Sequence, residues 1–571
     1  MMQPRLPMLS PWLMGPLAMH RATYIKVGIA AVLTNVFALA TSLYSMTVYN
    51  RIVPNNATDS LIALSIGMAI VLLFDFILRM LRGYFVDVAG RDVDAKLGTS
   101  VFQTLISMRL ANKQGSSGAF AGLLREFETL REFFASATIV ALVDVPFIPL
   151  FLVVIWAIAG PVVLVPLLMV PLVVGAAWVV QPGLDRMASN VLGLGFSKQG
   201  VMVETIGGLE TVKATAAGAM LAKRWQIAVD ESADVALRSR LLSAFATNVA
   251  ASAQQIVYVG VVLYGVFLIA DGAMASGSLI AASILAGRCV APLGQVAGLL
   301  TRLSSTRAAY ARLDEFMTMG GDLAPGAQPV RRQRLDGRIA FRNVVFHYPG
   351  TTTRVLDNVS FEIAPGEKVA IIGRVGSGKS TIGRLIMGLY EPSEGQVLID
   401  GADVRQLHPD DLRRNIGSVL QDVTLFSGTI RDNITLGDPA IDDAELLRLA
   451  ILSGTHDFVG QIANGYDRRL ADRGEGLSGG QRQSIAVARA LGNAPPIVIF
   501  DEPTSAMDDP FEQALIARLE PELRDRSFVL VTHRRPMLRL VDRVIVLNGG
   551  KIVSDGPRDA LLAPRTAGRA Q

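Results

Sequence analysis

Six apolar runs of about 20 residues, each long enough to cross a bilayer core, dictate most of what the first half of this chain can become. They lie at Tyr24–Val48, Leu61–Tyr84, Ala135–Ala159, Pro161–Val180, Ala244–Ala270 and Ser276–Leu300. The charge distribution agrees. Of the first 320 residues 41 are charged, about one in eight; of the remaining 251, 63 are, the ordinary proportion for a soluble domain. The whole-chain values of 51% apolar, 18% charged and a mean hydropathy of +0.40 therefore average two unlike halves. Disorder, a disulfide scaffold and a plain cytosolic enzyme are excluded. A single cysteine, Cys289, allows neither an intrachain disulfide nor a Cys-rich metal site. The net charge of +4 comes without a dense Lys/Arg tract, which argues against nucleic acid as a partner. The stretch before Tyr24 carries Pro4, Pro7, Pro11 and Pro16 and does not read as a cleaved signal peptide.

The links between spans alternate in length. Those after spans one, three and five are short (Tyr49–Ser60, around Gly160, Asp271–Ala275), whereas Phe85–Phe134 and Gln181–Ser243 are long. The short links contain only Arg51; the long ones hold Arg91, Lys96, Arg109, Lys113, Arg125 and Arg131, then Arg186, Lys198, Lys213, Lys223, Arg224, Arg238 and Arg240. By the positive-inside rule the long links, both termini and the polar half are expected in the cytoplasm. Apolar residues at three-to-four spacing predict helices that continue the spans into it. Breaks at Gly115–Gly122 and Gly207–Gly208 predict short transverse helices around Ala119–Glu126 and Leu209–Ala216. Within the spans, Asn35, Asp75, Asp144, Gln254, Gln255 and Arg288 are polar, and such residues face a bundle interior or an aqueous cavity. Asp75 and Arg79 are spaced for an i,i+4 pair. Arg288 has no carboxylate nearby on the outward part of its own span, so it lines a translocation path, pairs between helices or sits nearer the membrane interface.

After the Gly/Pro-bearing linker Met317–Asp336 the pattern changes to short apolar strands alternating with amphipathic helices, an α/β core with antiparallel strands at its start. The expected strands are Ile339–Phe341, Val355–Ile363, Lys368–Ile372, Gln396–Ile399, Ile497–Phe500, Ser527–Thr532 and Arg543–Asn548. The third runs into Gly373, Arg374, Val375, Gly376, Ser377, Gly378, Lys379, Ser380 and Thr381, a GxxxxGK[ST] loop in its strand–loop–helix setting. Its glycines let backbone N–H groups close around phosphate oxygens, Lys379 reaches the β/γ-phosphates, and the Ser380 hydroxyl is a ligand for Mg²⁺. Strand Ile497–Phe500 ends in Asp501, placed for Mg²⁺, and Glu502, able to polarise an attacking water. His533, after strand Ser527–Thr532, is placed for the γ-phosphate, and Gln421 can offer its amide oxygen to Mg²⁺ or the water. Tyr348, 25 residues before Gly373, either stacks on adenine or simply ends a strand.

Leu477, Ser478, Gly479, Gly480 and Gln481 match the signature of ATP-binding cassette (ABC) ATPases. With the phosphate loop, Gln421, Asp501-Glu502, a D-loop from Ser505 to Asp508, and His533 in the same order, residues 337–571 resemble that family. Six spans fused ahead of the cassette resemble an ABC exporter half-transporter. The implied organisation is a short N-terminus (1–23), a transmembrane domain (24–316), a linker (317–336) and an ABC ATPase domain (337–571). The implied fold is an all-α six-helix membrane domain followed by an α/β P-loop nucleotide-binding domain. The resemblance implies ATP and Mg²⁺ as cofactors and a homodimer in which ATP lies between one chain's phosphate loop and the other's Leu477–Gln481.

Val48–Asn56, Gly83–Arg91, Leu124–Glu128, Val143–Phe147 and Gly373-Arg-Val-Gly376 look like the type I protein-secretion group. That implies a bacterial inner-membrane exporter of an unfolded polypeptide, working with a periplasmic adaptor and an outer-membrane channel. With only about 23 residues before the first span, no peptidase domain and no leader cleavage are expected. An exporter of lipid or small amphipathic molecules, or an ATP-gated channel or regulator, are the alternative expectations. An intact Glu502 speaks against the channel.

Overall fold

The computed structural model describes residues 10–113, 122, 126–133, 144–323, 326 and 328–562. They form two units, residues 1–106 with 114–319, and residues 107–113 with 320–571.

The first unit is helical. Helix α1 (Pro11–Met19) is followed by α2 (Arg21–Thr47), α3 (Thr58–Ser107), α4 (Ile148–Ala159), α5 (Leu164–Gly207), α6 (Gly218–Ala270) and α7 (Ser276–Thr318). Among the described residues, five helical runs are long and apolar enough to cross a membrane. One of them, Val145–Gly207, is interrupted at Gly160 (φ 57°, ψ −125°), a conformation available to glycine but strained for other residues, so α4 and α5 are distinct. The third expected span begins in residues 135–143, outside the described residues. Helix α5 keeps Pro171 and Pro182 in its interior, as helices do when neighbouring segments satisfy the freed carbonyls. The long helices run well beyond the apolar windows, as the three-to-four spacing of the links implies. A short helix follows the Gly207–Gly208 break at Leu209–Ala214, while the transverse helix expected near Ala119 falls outside the described residues.

Alanines and a cysteine let the helices approach closely. Ala250, Ala253, Val257 and Val261 of α6 pack with Ala282, Leu285, Ala286, Cys289 and Val290 of α7 and with Phe151 and Ile155 of α4. Polar side chains in the bundle find partners. Arg82 of α3 donates to Asp144 at 2.9 Å, and Asn35 of α2 donates to the same carboxylate oxygen at 3.1 Å. At the end of α2 the helix widens into a π turn, Val48–Ile52. From that turn the Asn50 carboxamide oxygen accepts the Gly277 N–H in the first turn of α7 at 2.8 Å. A Cβ on Gly277 would lie 2.5 Å from this oxygen, so the contact requires glycine.

In the second unit, a four-stranded antiparallel sheet has the order β2-β1-β4-β5, with β1 at Ile339–Phe346, β2 at Leu356–Ile363, β4 at Glu394–Ile399 and β5 at Ala402–Asp403. A six-stranded sheet has the order β12-β11-β3-β10-β9-β6, with β3 at Lys368–Gly373, β6 at Ile416–Val419, β9 at Ile497–Asp501, β10 at Ser527–Val531, β11 at Arg543–Asn548 and β12 at Lys551–Pro557. Strands β7 (Gly428–Thr429) and β8 (Arg469–Leu470) pair separately. The central strands β3, β9 and β10 are parallel and buried on both faces, which explains their continuous apolar runs. Strands β6 and β12 were not among the sequence expectations. The first is four residues long and contains a glycine; the second alternates exposed and half-buried residues along the sheet edge.

Gly417 in β6 shows how tightly the sheet meets its cover. A Cβ there would overlap the Ala490 carbonyl oxygen and approach the Pro495 ring within 2.8 Å. Gly417→Ala is therefore expected to destabilise the ATPase unit by about 1–3 kcal/mol through overpacking. Urea denaturation of the purified chain, followed through that unit, checks it; an unshifted midpoint would show that β6 yields freely.

Candidate functional site

In parallel α/β sheets, ligands bind beyond the carboxyl ends of the strands, and the chemistry-bearing residues of this chain gather there. Val531 pairs with Ile371 on one side and Asp501 on the other, so Gly373, Glu502 and His533 leave three neighbouring strands together. Val419 pairs with Phe500, which brings Gln421 to the same end of the sheet. Gln421 is exposed and makes none of the hydrogen bonds of the cluster described below.

The loop after β3 is shaped by its glycines. Gly373, Gly376 and Gly378 have φ of 159°, 80° and 97°. At Gly373 a Cβ would overlap the Leu547 carbonyl oxygen. Helix α8 (Lys379–Ile386) starts immediately, with Gly378 as its N-cap. Lys379 Nζ arches back over the loop and donates to the carbonyls of Gly373 and Arg374 at 3.0 and 2.9 Å. Ser377 Oγ is buried with no hydrogen-bond partner, while Val375 is fully exposed at the loop's tip.

Two acids follow β9. Asp501 is buried, and the nearby Ser380 hydroxyl favours its ionised form. Burial pushes its carboxyl above the usual range, with the Glu502 charge adding to this and Arg384 and Lys379 opposing it. Ser380 and Asp501 thus present hard oxygen donors side by side, the donor type that suits Mg²⁺. A desolvated carboxylate is also a stability cost, because the unfolded chain ionises more easily. Asp501→Asn is expected to raise the unfolding temperature of the nucleotide-free protein while removing Mg²⁺-dependent turnover. A raised pKa means the carboxyl increasingly destabilises the fold as pH rises through its titration, so the variant's gain should be present at neutral pH and vanish in acid. Calorimetry at two pH values tests this, and a lowered unfolding temperature at neutral pH would contradict it.

Glu502 adopts a left-handed backbone (φ 51°), a strain that recurs at functional sites, and its N–H still donates to Val531 O at 2.8 Å. Its carboxylate is only 12% exposed; Oε1 lies 2.7 Å from His533 Nδ1, and Oε2 accepts from Thr532 Oγ1 at 3.4 Å. The pair forms a carboxylate–imidazole couple with the histidine 75% exposed, so one end of the couple is shielded and the other open.

Tyr348 is held on several sides. Its hydroxyl accepts from Arg384 Nη1 at 2.7 Å and lies 3.0 Å from Thr381 Oγ1, and its ring meets Phe346 and Tyr390 edge-on. Arg384 and Tyr390 were not singled out from the sequence.

Leu477 is buried, and Ser478 caps helix α9 (Gly479–Leu491). Ser478 Oγ accepts the Gln481 N–H at 3.2 Å, and the Gln481 side chain returns to Ser478 N at 2.9 Å, a capping box. The first backbone N–H groups of α9 have no helical partner and form an anion-attracting end. Gly479 and Gly480 press against the D-loop: a Cβ on Gly479 would come 2.7 Å from Ala506 Cβ. Asp508 caps helix α10 (Asp509–Glu522), accepting from Phe511 N at 2.9 Å.

Several residues that organise this region escaped the sequence reading. Gln483, buried inside α9, donates to Ser505 Oγ at 2.8 Å and accepts from Ala506 N at 3.0 Å, fastening the D-loop. Arg534 donates to the carbonyls of Thr504 and Met507 at 2.6 and 3.0 Å and lies 3.3 Å from Glu512, which is fully buried. Thr504 Oγ1 donates to the other Glu512 oxygen at 2.6 Å.

Comparison with known proteins bears on both units. The model for the ABC transporter family matches residues 356–505, and that for the ABC transporter transmembrane region matches 24–293. The toxin RTX-I translocation ATP-binding protein of Actinobacillus pleuropneumoniae is 31% identical over 553 residues, covering 97% of this chain and 78% of that protein. An exotoxin translocation ATP-binding protein of Pasteurella aerogenes is likewise 31% identical, covering 96% and 77%. In three dimensions the chain superposes on a bacterial Atm1-family ABC exporter solved with ATP bound, with a TM-score of 0.86 over 95% of this chain and 96% of that one, at 24% identity, a likeness of fold.

Proposed function

This chain belongs to the ABC transporter family, as a multi-pass membrane exporter whose ATP hydrolysis is coupled to transport, and from that premise we propose that its cargo is an unfolded polypeptide, moved out of the bacterial cytoplasm across the inner membrane. The observation that carries this reading is the end-to-end similarity, through membrane and ATPase parts alike, to proteins described as toxin translocators. A periplasmic adaptor and an outer-membrane channel complete the route.

At the nucleotide site, the backbone N–H groups of residues 374–380 and Lys379 Nζ hold the β- and γ-phosphates. Lys379 exchanges its two loop carbonyls for them. Tyr348 stacks on the adenine, fixed by Arg384 and Tyr390. Ser380 and Asp501 would hold Mg²⁺, with Gln421 at the end of β6 as a further oxygen donor; bound there, the metal would screen phosphate charge. Glu502 accepts a proton from the attacking water, and His533 steadies both Glu502 and the γ-phosphate. The site is completed by the N–H groups at Gly479 and Gly480 of a second copy, next to its Ser505–Asp508 loop. A homodimer therefore has two sites.

The test is the composition of the culture medium. Cells producing the Glu502→Gln variant in place of the native chain are expected to lose one or a few polypeptides from the medium, with membrane lipids unchanged. An unchanged medium proteome with altered lipid distribution would instead support a lipid exporter and overturn the reading.

A further inference from the structure

Helix α9 departs from helix preference at one buried position just past the signature. Its other small buried side chains are Ala486, Ala488 and Ala490, alanine being the best helix former, yet Ser484 is a serine and wholly buried. Serine is disfavoured inside a helix because its hydroxyl competes for backbone groups. Here the hydroxyl is used twice. Ser484 Oγ donates to the Gln481 carbonyl at 2.9 Å and accepts from Thr455 Oγ1 at 3.2 Å. Thr455 Oγ1 in turn lies 2.8 Å from Ser453 Oγ. Each hydroxyl has one proton, and Thr455 spends its own on Ser484. Ser453 therefore donates to Thr455 rather than to the more distant Ala450 carbonyl at 3.3 Å. Ser453 and Thr455 are wholly buried as well.

This hydroxyl tether ends on the signature. Gln481, whose carbonyl takes the Ser484 proton, closes the capping box with Ser478. The other end of the tether is the turn between helices Asp443–Ser453 and Thr455–Val459, where Gly454 adopts φ 78°. A Cβ on Gly454 would come 2.5 Å from the Phe511 ring, so this turn requires glycine. Phe511 N donates to Asp508, the last residue of the D-loop, at 2.9 Å. The turn is thus a spacer. Thr455 holds the start of α9 on one side, and Gly454 meets the start of α10 on the other. Hydrogen bonds away from water are strong and directional, so they fix a helix where alanine packing alone would let it slide.

We propose that Ser453, Thr455 and Ser484 are positioning residues that set the signature N–H groups where the γ-phosphate held by a second copy requires them. This rests on the two-copy nucleotide site proposed above. Donors aimed at phosphate charge act only from the right place, and a shift of about 1 Å in a positioned group can cost up to about 10²-fold in rate. Each copy's own phosphate loop captures ATP without the tether. The tether matters once the two copies close on the nucleotide.

The test uses the full chain in lipid nanodiscs. Thr455→Val keeps the shape of the side chain and removes its hydroxyl. It is expected to lower kcat about tenfold, with KM for ATP changed by less than about twofold. Thr455→Ser should keep the native rate. Ser484→Ala should match Thr455→Val, and the double variant should lose no more than either alone, because both links belong to one tether. In a Glu502→Gln background, where bound nucleotide is not consumed, Thr455→Val should quicken release of a fluorescent ATP analogue about tenfold. A native kcat in Thr455→Val, a raised KM in place of a lowered kcat, losses that add in the double variant, or a slow Thr455→Ser overturns the proposal. Ser478→Asp keeps a helix cap but sets a negative charge against the γ-phosphate. If it leaves analogue release unchanged, the two-copy site itself falls. If Ser478→Asp quickens release and Thr455→Val does not, the two-copy site stands and only the tether falls.

Discussion

Glu502→Gln is expected to lower steady-state ATP hydrolysis by about 10²–10⁴-fold, the usual range for loss of a general base, while leaving nucleotide affinity close to that of the native protein. The separation follows from the geometry. Glu502 belongs to the end of β9 and is tied to Thr532 and His533. In the proposed site, phosphate binding is instead assigned to the Gly373–Ser380 loop and the start of α8, with which Glu502 shares none of the hydrogen bonds given above. Glutamine is nearly isosteric, and its amide oxygen can still accept from Thr532 or His533, so the strained backbone keeps its anchors. What it cannot do is take a proton. Phosphate release and fluorescent-nucleotide binding, measured on the same preparation, distinguish the two effects. Hydrolysis at the native rate would remove Glu502 from its catalytic role, and loss of binding would show that it shapes the phosphate loop.

The second large effect concerns Arg534, a residue with no place in any of the motifs. Glu512 lies in the first turn of α10 and is wholly buried. One of its oxygens takes the Thr504 hydroxyl; the other lies 3.3 Å from the Arg534 guanidinium without hydrogen-bond geometry and depends on that charge. Removing one member of a buried ion pair leaves its partner uncompensated, at a cost of about 3–5 kcal/mol. Arg534→Ala also strips the donor from the carbonyls of Thr504, just before the D-loop, and Met507 within it. The variant should unfold at markedly lower urea and hydrolyse ATP poorly even where folded. Adding Glu512→Gln should restore a substantial part of the stability, because the neutral amide needs no cation, whereas activity should stay low with the Arg534 contacts to Thr504 and Met507 still missing. If the double variant is no more stable than Arg534→Ala, the buried pair is not the source of the loss.

These two residues mark the boundary of what could be read from the sequence. The gathering of Glu502, Lys379 and the Gly373–Gly378 glycines at one end of the sheet was legible because phosphate chemistry prescribes residue types at short, fixed spacing. Arg534 acts on Thr504, Met507 and Glu512 from the end of the adjacent strand about 30 residues later, and Gln483 holds a loop 22 residues away; neither contact leaves a local pattern. Spans were legible from length and hydropathy, yet the helices run past them, since polar residues at helical spacing continue α3 to Ser107. Strand β6 was missed because four residues with a central glycine carry too little β signal.

The π turn at Val48–Ile52 makes the same point about phase. One such turn admits an extra residue into an α-helix, and one residue corresponds to about 100° of rotation. A helical wheel drawn straight through residues 21–55 is therefore correct on one side of Val48 and about a quarter-turn wrong on the other. Asn50 reaches Gly277 from within this slipped stretch. Deleting a single residue between Val48 and Ile52 would bring the two halves back into step, and in doing so would swing the carboxamide away from the end of α7.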